Sequence, residues 1–408
     1  MLLRLKAKMV RIPMKYFLFS MFTTVALMAS NVSANSQNYQ VHGFIAQGLI
    51  DVNNGDFVND ESKVSPKLTE IGFNASYQLS SKLRLAGQVV YLNGGNRYAE
   101  GIRVDYALLD WSVFESIDWQ ANIYLGRFKN NHWLYSSSRD VPFARPSIIL
   151  PQSVYFDGFR DIAVGADGAA MKISHSDDDF GNFDFNLSYG TSPVSDRQSD
   201  IILSEFALGS IAQDRDIQGS IYWQPPFSSW RFGVSYLDSD FTYKENSVED
   251  MFFDGGFSFH FYTVNALYEG EVWEFSGEIY QEHFITKGFY HPLFNNDPIG
   301  QGMYLQSRFK VNNELTLLAR YETFYNNKED KNGEKLSEES GGLIPEYFAY
   351  HRDATVGLSY DISSNLRLRF EYHWFQGASR LTPVVLPNPQ VNSSKNWNLW
   401  AMQLMYWF

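Results

Sequence analysis

Two groups of residues in this chain could do chemistry, and both are made of charge. The segment 129–160 gathers Lys129, Arg139, Asp140, Arg145, Asp157 and Arg160 within about one loop's length. A second group, Arg84, Arg103, Arg308, Arg320, Arg367 and Arg369 with Glu274, Glu278 and Glu282, occupies alternate places in otherwise apolar runs. Covalent chemistry is poorly served. His132 lies near Ser136, Ser137 and Ser138, the elements of an acyl-transfer site, but no third residue is spaced to orient the imidazole. Asp177, Asp178 and Asp179 lack the alternating spacing and distant Glu of a calcium loop. There is no Gly-rich phosphate cradle and no metal-spaced His pair, so neither a cofactor nor a metal is expected and the chain does not read as an enzyme. Arginine stays charged at every working pH, and a ladder of guanidinium groups gives anions a series of favourable sites. An acidic row facing it would set up a transverse field that sorts polar solutes by charge and dipole.

The elements that carry these residues show a period of two. Leu366, Leu368, Phe370, Tyr372 and Trp374 alternate with Arg367, Arg369, Glu371 and His373, and Trp273, Phe275, Gly277 and Ile279 alternate with Glu274, Ser276 and Glu278. Such alternation is a strand with two unlike faces. It predicts about sixteen strands, near 39–51, 68–79, 82–93, 101–113, 118–128, 161–174, 181–191, 214–224, 228–240, 257–269, 272–285, 300–311, 314–326, 352–361, 364–376 and 396–408. Connections alternate between short turns, such as Ser80-Ser81 and Ser363-Ser364, and long loops, of which 129–160 is the longest of those between strands. One hairpin solution is used twice: residues 76–85, SYQLSSKLRL, are echoed by residues 359–368, SYDISSNLRL.

Composition fits this pattern and excludes much else. The chain has no Cys, which rules out a disulfide scaffold, a zinc–thiolate or iron–sulfur site and a thiol nucleophile. Lys+Arg number 33 against 46 Asp+Glu, a net charge of -13, so nucleic acid is not expected as a partner. Five basic residues in the first fifteen (Arg4, Lys6, Lys8, Arg11, Lys15), an apolar stretch from Tyr16 to Met28 and the small residues Val32-Ser33-Ala34 read as a signal peptide, 1–34, cleaved after Ala34, with Met9 or Met14 as alternative initiators. Removing those five charges leaves a mature chain, 35–408, near -18. Beyond residue 34 no apolar run is long enough for a membrane-crossing helix.

Aromatic residues make up 17% of the chain and cluster at strand ends. Trp111, Trp119, Trp223, Trp230, Tyr268 and Trp273 bracket the short turns, and Tyr91, Phe128, Tyr189, Tyr236 and Trp374 lie toward the far ends. Two girdles one strand length apart are the signature of a membrane-crossing barrel. Backbone amides in lipid need partners within the protein, so the sheet must close, with its apolar face to lipid and its polar face inward. At about sixteen strands the interior is too wide for wall side chains to fill, and water is expected there. The fold class is therefore all-β: a single transmembrane antiparallel β-barrel domain of about 16 strands with short periplasmic turns and long extracellular loops.

The signal peptide, the alternation of short and long connections, the terminal Tyr406-Trp407-Phe408 and the long loop after the fifth strand resemble the general porins of the Gram-negative outer membrane. The resemblance covers the whole mature chain. It implies an outer-membrane location, barrel assembly signalled by the terminal Phe408, a loop 129–160 folded into the lumen as a constriction, and a homotrimer. The loop lacks the Pro-Glu-Phe-Gly-Gly type of motif frequent in that family, which points to a divergent or substrate-selective relative. The expected function is passive diffusion of small hydrophilic solutes or ions, selected by size and lumen charge. The alternative is a ligand-binding receptor or substrate-specific channel, for instance for a siderophore or an oligosaccharide.

Overall fold

The computed structural model describes residues 38–58, 63–163 and 165–408; the expected signal peptide lies outside the described residues. Sixteen long strands form one antiparallel sheet: β1 (Tyr39–Asn53), β2 (Thr69–Ser80), β3 (Leu83–Asn93), β4 (Gly101–Glu115), β5 (Trp119–Lys129), β6 (Gly165–Asp177), β7 (Gly181–Thr191) and β8 (Ser210–Gln224). The second half comprises β9 (Trp230–Lys244), β10 (Gly255–Glu269), β11 (Trp273–Lys287), β12 (Ile299–Lys310), β13 (Leu315–Tyr325), β14 (Tyr350–Ser363), β15 (Leu366–Gln376) and β16 (Asn396–Trp407). A two-residue rung, Asn295–Asn296, pairs with the end of β11. Each strand pairs with its sequence neighbours, and β1 pairs with β16 from Phe44↔Trp407 to Asn53↔Asn398, so the sheet closes on itself. Phe408 completes the seam: its N–H donates to the Gly43 carbonyl at 3.0 Å and its carbonyl accepts from the Gly43 N–H at 3.1 Å. Closure leaves no unpaired edge.

The strand boundaries agree with the sequence pattern except where the chain enters the barrel from long loops. The sixth strand starts at Gly165 rather than 161, because Arg160–Ala163 forms one turn of helix. The eighth starts at Ser210, four residues early, and the ninth runs on to Lys244. These extra residues lie at the long-loop end.

The larger difference concerns the two faces. In the short-turn half, alternation is as expected: Trp230, Phe232 and Val234 of β9 and Val264 of β10 are exposed outside, while Arg231 points inward. At the cross-strand pair Tyr236 and Tyr262, whose rings are 5.1 Å apart, the pattern turns inside out. Toward the long loops the inward residues are Leu237, Phe241 and Tyr243 of β9 and Phe257, Phe259 and Phe261 of β10, all buried. The outward ones are Asp238, Asp240, Ser258 and His260, and Arg215 binds Asp240 at 2.6 Å and Asp238 at 3.1 Å on that outer surface. The same change occurs on β15, where Trp374 is exposed but Phe375 stacks inward on Trp397 at 3.7 Å. Phe128, expected in the outer girdle, also points inward and is fully buried. Below the change, an apolar belt faces outward, as hydrocarbon requires. Above it, polar residues face outward and apolar ones form a core with the loops, as in a protein surrounded by water.

Candidate functional site

That core is built largely by segment 129–160. Eight apolar or aromatic residues (Trp133, Tyr135, Ile148, Ile149, Leu150, Val154, Tyr155 and Phe156) are buried, which the segment achieves only by folding into the bore. Its own polar groups shape it. The Arg139 guanidinium donates to the Tyr155 carbonyl at 2.8 Å, the Phe156 carbonyl at 3.1 Å and Asp157 at 2.9 Å, tying the two limbs together. Asp157 also receives Arg97 at 3.2 Å. Asp140 is bound by Arg160 through Nε at 2.7 Å and by Lys129, which also reaches Asp105 at 2.5 Å. Burial opposes ionisation of Asp140 and Asp157, but the adjacent cations outweigh it and hold both carboxyls below the usual range.

The segment is anchored on walls that face each other across the bore. On one side Ser220 Oγ and Tyr222 Oη of β8 donate to the Asn131 carbonyl at 2.8 and 3.2 Å, and Trp133 Nε1 donates to Thr263 of β10 at 3.2 Å. On the other, Arg145 donates to Glu70 of β2 at 3.0 Å. Between these, wall carboxylates accept loop backbone N–H groups. Glu278 takes Leu134 N–H at 3.3 Å and the Tyr155 hydroxyl, Glu322 takes Ser153 N–H at 2.6 Å, and Glu371 takes Ile148 and Ile149 N–H at 2.5 and 3.2 Å. Wall arginines take the carbonyls: Arg369 donates to Pro142 at 3.0 Å and Arg145 at 2.7 Å, Arg320 to Ile149 at 3.0 Å, and Arg367 to Phe143 at 3.3 Å.

The residues expected to line a pore therefore divide into two populations. Arg320, Arg367, Arg369 and Glu278 hold the loop. Glu282 is also buried, within 3.8 Å of Arg380, a residue of the loop 377–395 that also enters the lumen. Arg103 pairs with Asp161 at the base of the same segment. Only Arg84, Arg308 and Glu274 stand clear, near the short turns, as the pairs Arg84–Asp110 at 2.8 Å and Arg308–Glu274 at 2.6 Å. Lys172, Asp184 and Arg231 share that zone with substantial exposure. The expected eyelet charges of segment 129–160 are likewise buried and paired with one another or with the wall. Instead of water at mid-height, the bore holds packed protein, because the loop supplies the volume that wall side chains cannot.

Sequence reading missed Glu70, Glu322 and Glu371, and it missed the second loop. Their inward parity was available; what they bind was not. Loop 377–395 buries Arg380 and Leu381, its Val384 and Val385 N–H groups donate to the Ile202 carbonyl at 3.1 and 2.9 Å, and Thr382 donates to the Asn96 carbonyl at 3.0 Å. The long loops are thus laced over the mouth. Ser136 Oγ donates to the Asn130 and Trp133 carbonyls at 2.8 and 3.0 Å, which gives it a structural task.

No protein-family model matches the chain, and no curated protein sequence does. Solved structures do. The chain is similar to the outer-membrane-expressed OmpT of Vibrio cholerae, at 14% identity and a TM-score of 0.57 over 92% of this chain and 99% of that one. It is similar to the anion-selective porin from Comamonas acidovorans, at 11% identity and 0.57 over 91% and 99%, and to OprB of Pseudomonas putida, at 10% identity and 0.57 over 95% and 96%. With the likeness running across nearly the full length of each, the chain has the fold of the sixteen-stranded outer-membrane porins.

Proposed function

We propose that this protein is an outer-membrane channel for small hydrophilic solutes or ions, substrate-selective rather than freely open, in which segment 129–160 bars the bore. One observation carries the reading. A single loop is fastened to β8 and β10 on one wall and to β2 and β15 on the other, while the short-turn half keeps exposed charged side chains. The apolar outer belt places the barrel in a bilayer, and the signal-peptide pattern of 1–34 directs the remaining single domain, 35–408, across the inner membrane. Selection acts at two levels. Arg84, Lys172, Arg231 and Arg308 with Asp110, Asp184 and Glu274 set the field in the vestibule, and the loop sets the size limit. No step requires covalent chemistry.

A homotrimer is proposed from the fold; a trimeric form is recorded for the Vibrio cholerae OmpT. The test is conductance of the folded protein in a planar bilayer under a salt gradient, compared with a form whose loop is loosened by Glu371→Ala. Small or rare openings in the wild type with larger ones in the variant support the reading. A wild type conducting freely at the same level as the variant refutes loop control, and no conductance in either refutes the channel.

A further inference from the structure

Between the loop and the β8–β11 wall lies a narrow chamber of about 30 Å³. Its walls are aromatic: Trp133 and Phe156 from the loop face Phe241, Phe259, Phe261 and Tyr280 of the barrel. Two charged side chains of opposite sign also line it, Asp216 of β8 and Arg380 of loop 377–395. Both are buried and each is incompletely satisfied. Asp216 Oδ2 accepts Gln218 Nε2 at 2.7 Å, but Oδ1 has no hydrogen-bond partner among the described residues. Arg380 Nη2 donates to the Tyr280 hydroxyl at 2.5 Å and lies 3.8 Å from a Glu282 carboxylate oxygen, whereas its Nε has no hydrogen-bond partner among the described residues. The other charges at the chamber are engaged: Arg139 by Asp157 and two carbonyls, and Glu282 by the Tyr280 hydroxyl at 3.4 Å and by Arg380 at 3.8 Å, which leaves the Arg380 Nε edge open.

A buried, unsatisfied carboxylate oxygen and guanidinium N–H are each unfavourable to keep in an apolar chamber. A guest carrying both complementary charges would satisfy the two together, and aromatic faces would cover an apolar remainder. We propose that this chamber is a binding site for a small zwitterion with an apolar or aromatic side chain, of the amino-acid class, with the ammonium at Asp216 and the carboxylate at Arg380. The inference rests on the channel reading, since it names the solute class that the channel selects. At rest the chamber has room for about one or two waters. Admission therefore requires Trp133 and Phe156 to move with the loop, which makes entry and opening one event.

The experiment is calorimetric titration of the full chain in detergent, wild type and Glu371→Ala, with three probes: L-phenylalanine, 3-phenylpropionate and phenylethylamine. The zwitterion should bind at least about tenfold more tightly than either single-charge probe, and more tightly to Glu371→Ala than to wild type. Asp216→Asn should remove its advantage over 3-phenylpropionate, and Arg380→Gln its advantage over phenylethylamine. The wild-type probe comparison stands even where a variant fails to fold. Equal binding of the three probes, or no saturable binding in either form, overturns the site. Conductance separates this from the channel reading: binding without conductance overturns the channel and keeps the site, and conductance without binding does the reverse.

Discussion

The carboxylate of Glu371 accepts the backbone N–H of Ile148 at 2.5 Å, joining residues 223 positions apart across the inside of the barrel. The second oxygen takes the N–H of Ile149. Loop backbone that would otherwise be buried without partners is thus satisfied by a side chain of the wall.

Removing that acceptor should loosen the loop before it harms the barrel. Glu371→Ala leaves two buried N–H groups unpaired, a cost to the docked loop of about 1–3 kcal/mol for each. Trypsin cleavage after Arg139, nearly inaccessible in the wild type, should become measurable while heat-resistant barrel migration in gels is retained. Equal resistance in both forms would show that Glu371 is not a latch.

Charge reversals should separate vestibule from latch. Arg84→Glu and Arg231→Glu, at exposed inward positions, should move the zero-current potential toward cation preference without changing the opening frequency. Arg369→Gln, at a guanidinium committed to the Pro142 and Arg145 carbonyls, should raise opening frequency with little change in selectivity. The opposite assignment would place the selective charges on the loop side.

Acid should favour opening. Burial first, and Arg139 second, push the His132 imidazole down to about 3 in the docked loop. A hydrated loop restores the ordinary value of about 6.5, so the released state takes up a proton that the docked state refuses. Docking is fully supported above about pH 6.5 and weakens by about 1.4 kcal/mol per unit as pH falls from there toward 3. The Asp140 and Asp157 carboxyls are held below their usual range as well, by the adjacent cations, and add their loss only below about pH 4. Conductance should therefore rise between pH 6.5 and 4.5, and His132→Asn should flatten that rise. A wild-type trace that is level over this range would sink the prediction.

The inversion of the two faces at Tyr236 and Tyr262 has a stability signature. Phe259→Ala, inside the loop-filled core, should cost about 3–5 kcal/mol. Val264→Lys, outside in the apolar belt, should cost about 2–4 kcal/mol. Ser258→Lys, outside but beyond the girdle, should cost less than about 1 kcal/mol. Urea unfolding in liposomes measures all three, and a large cost at Ser258 would extend the hydrocarbon past the tyrosine pair.

The sequence by itself determined the barrel. Period-two alternation needs only neighbouring residues, so it located strands such as β11, expected at 272–285 and observed at Trp273–Lys287, and it put Glu274, Glu278 and Glu282 on one inward face. It also marked segment 129–160 as the longest connection between strands and as a concentration of charge. Tertiary structure decided what those faces meet. Alternation distinguishes two sides of a strand but not the medium on each side, so Phe257, Phe259 and Phe261 gave no sign that they point inward. Nor could it show that Arg320, Arg369, Glu322 and Glu371 spend their hydrogen bonds on a loop instead of on passing solutes. Those contacts join residues about 170 to 230 positions apart, and they exist only once the sheet has closed and brought every wall within reach of one loop.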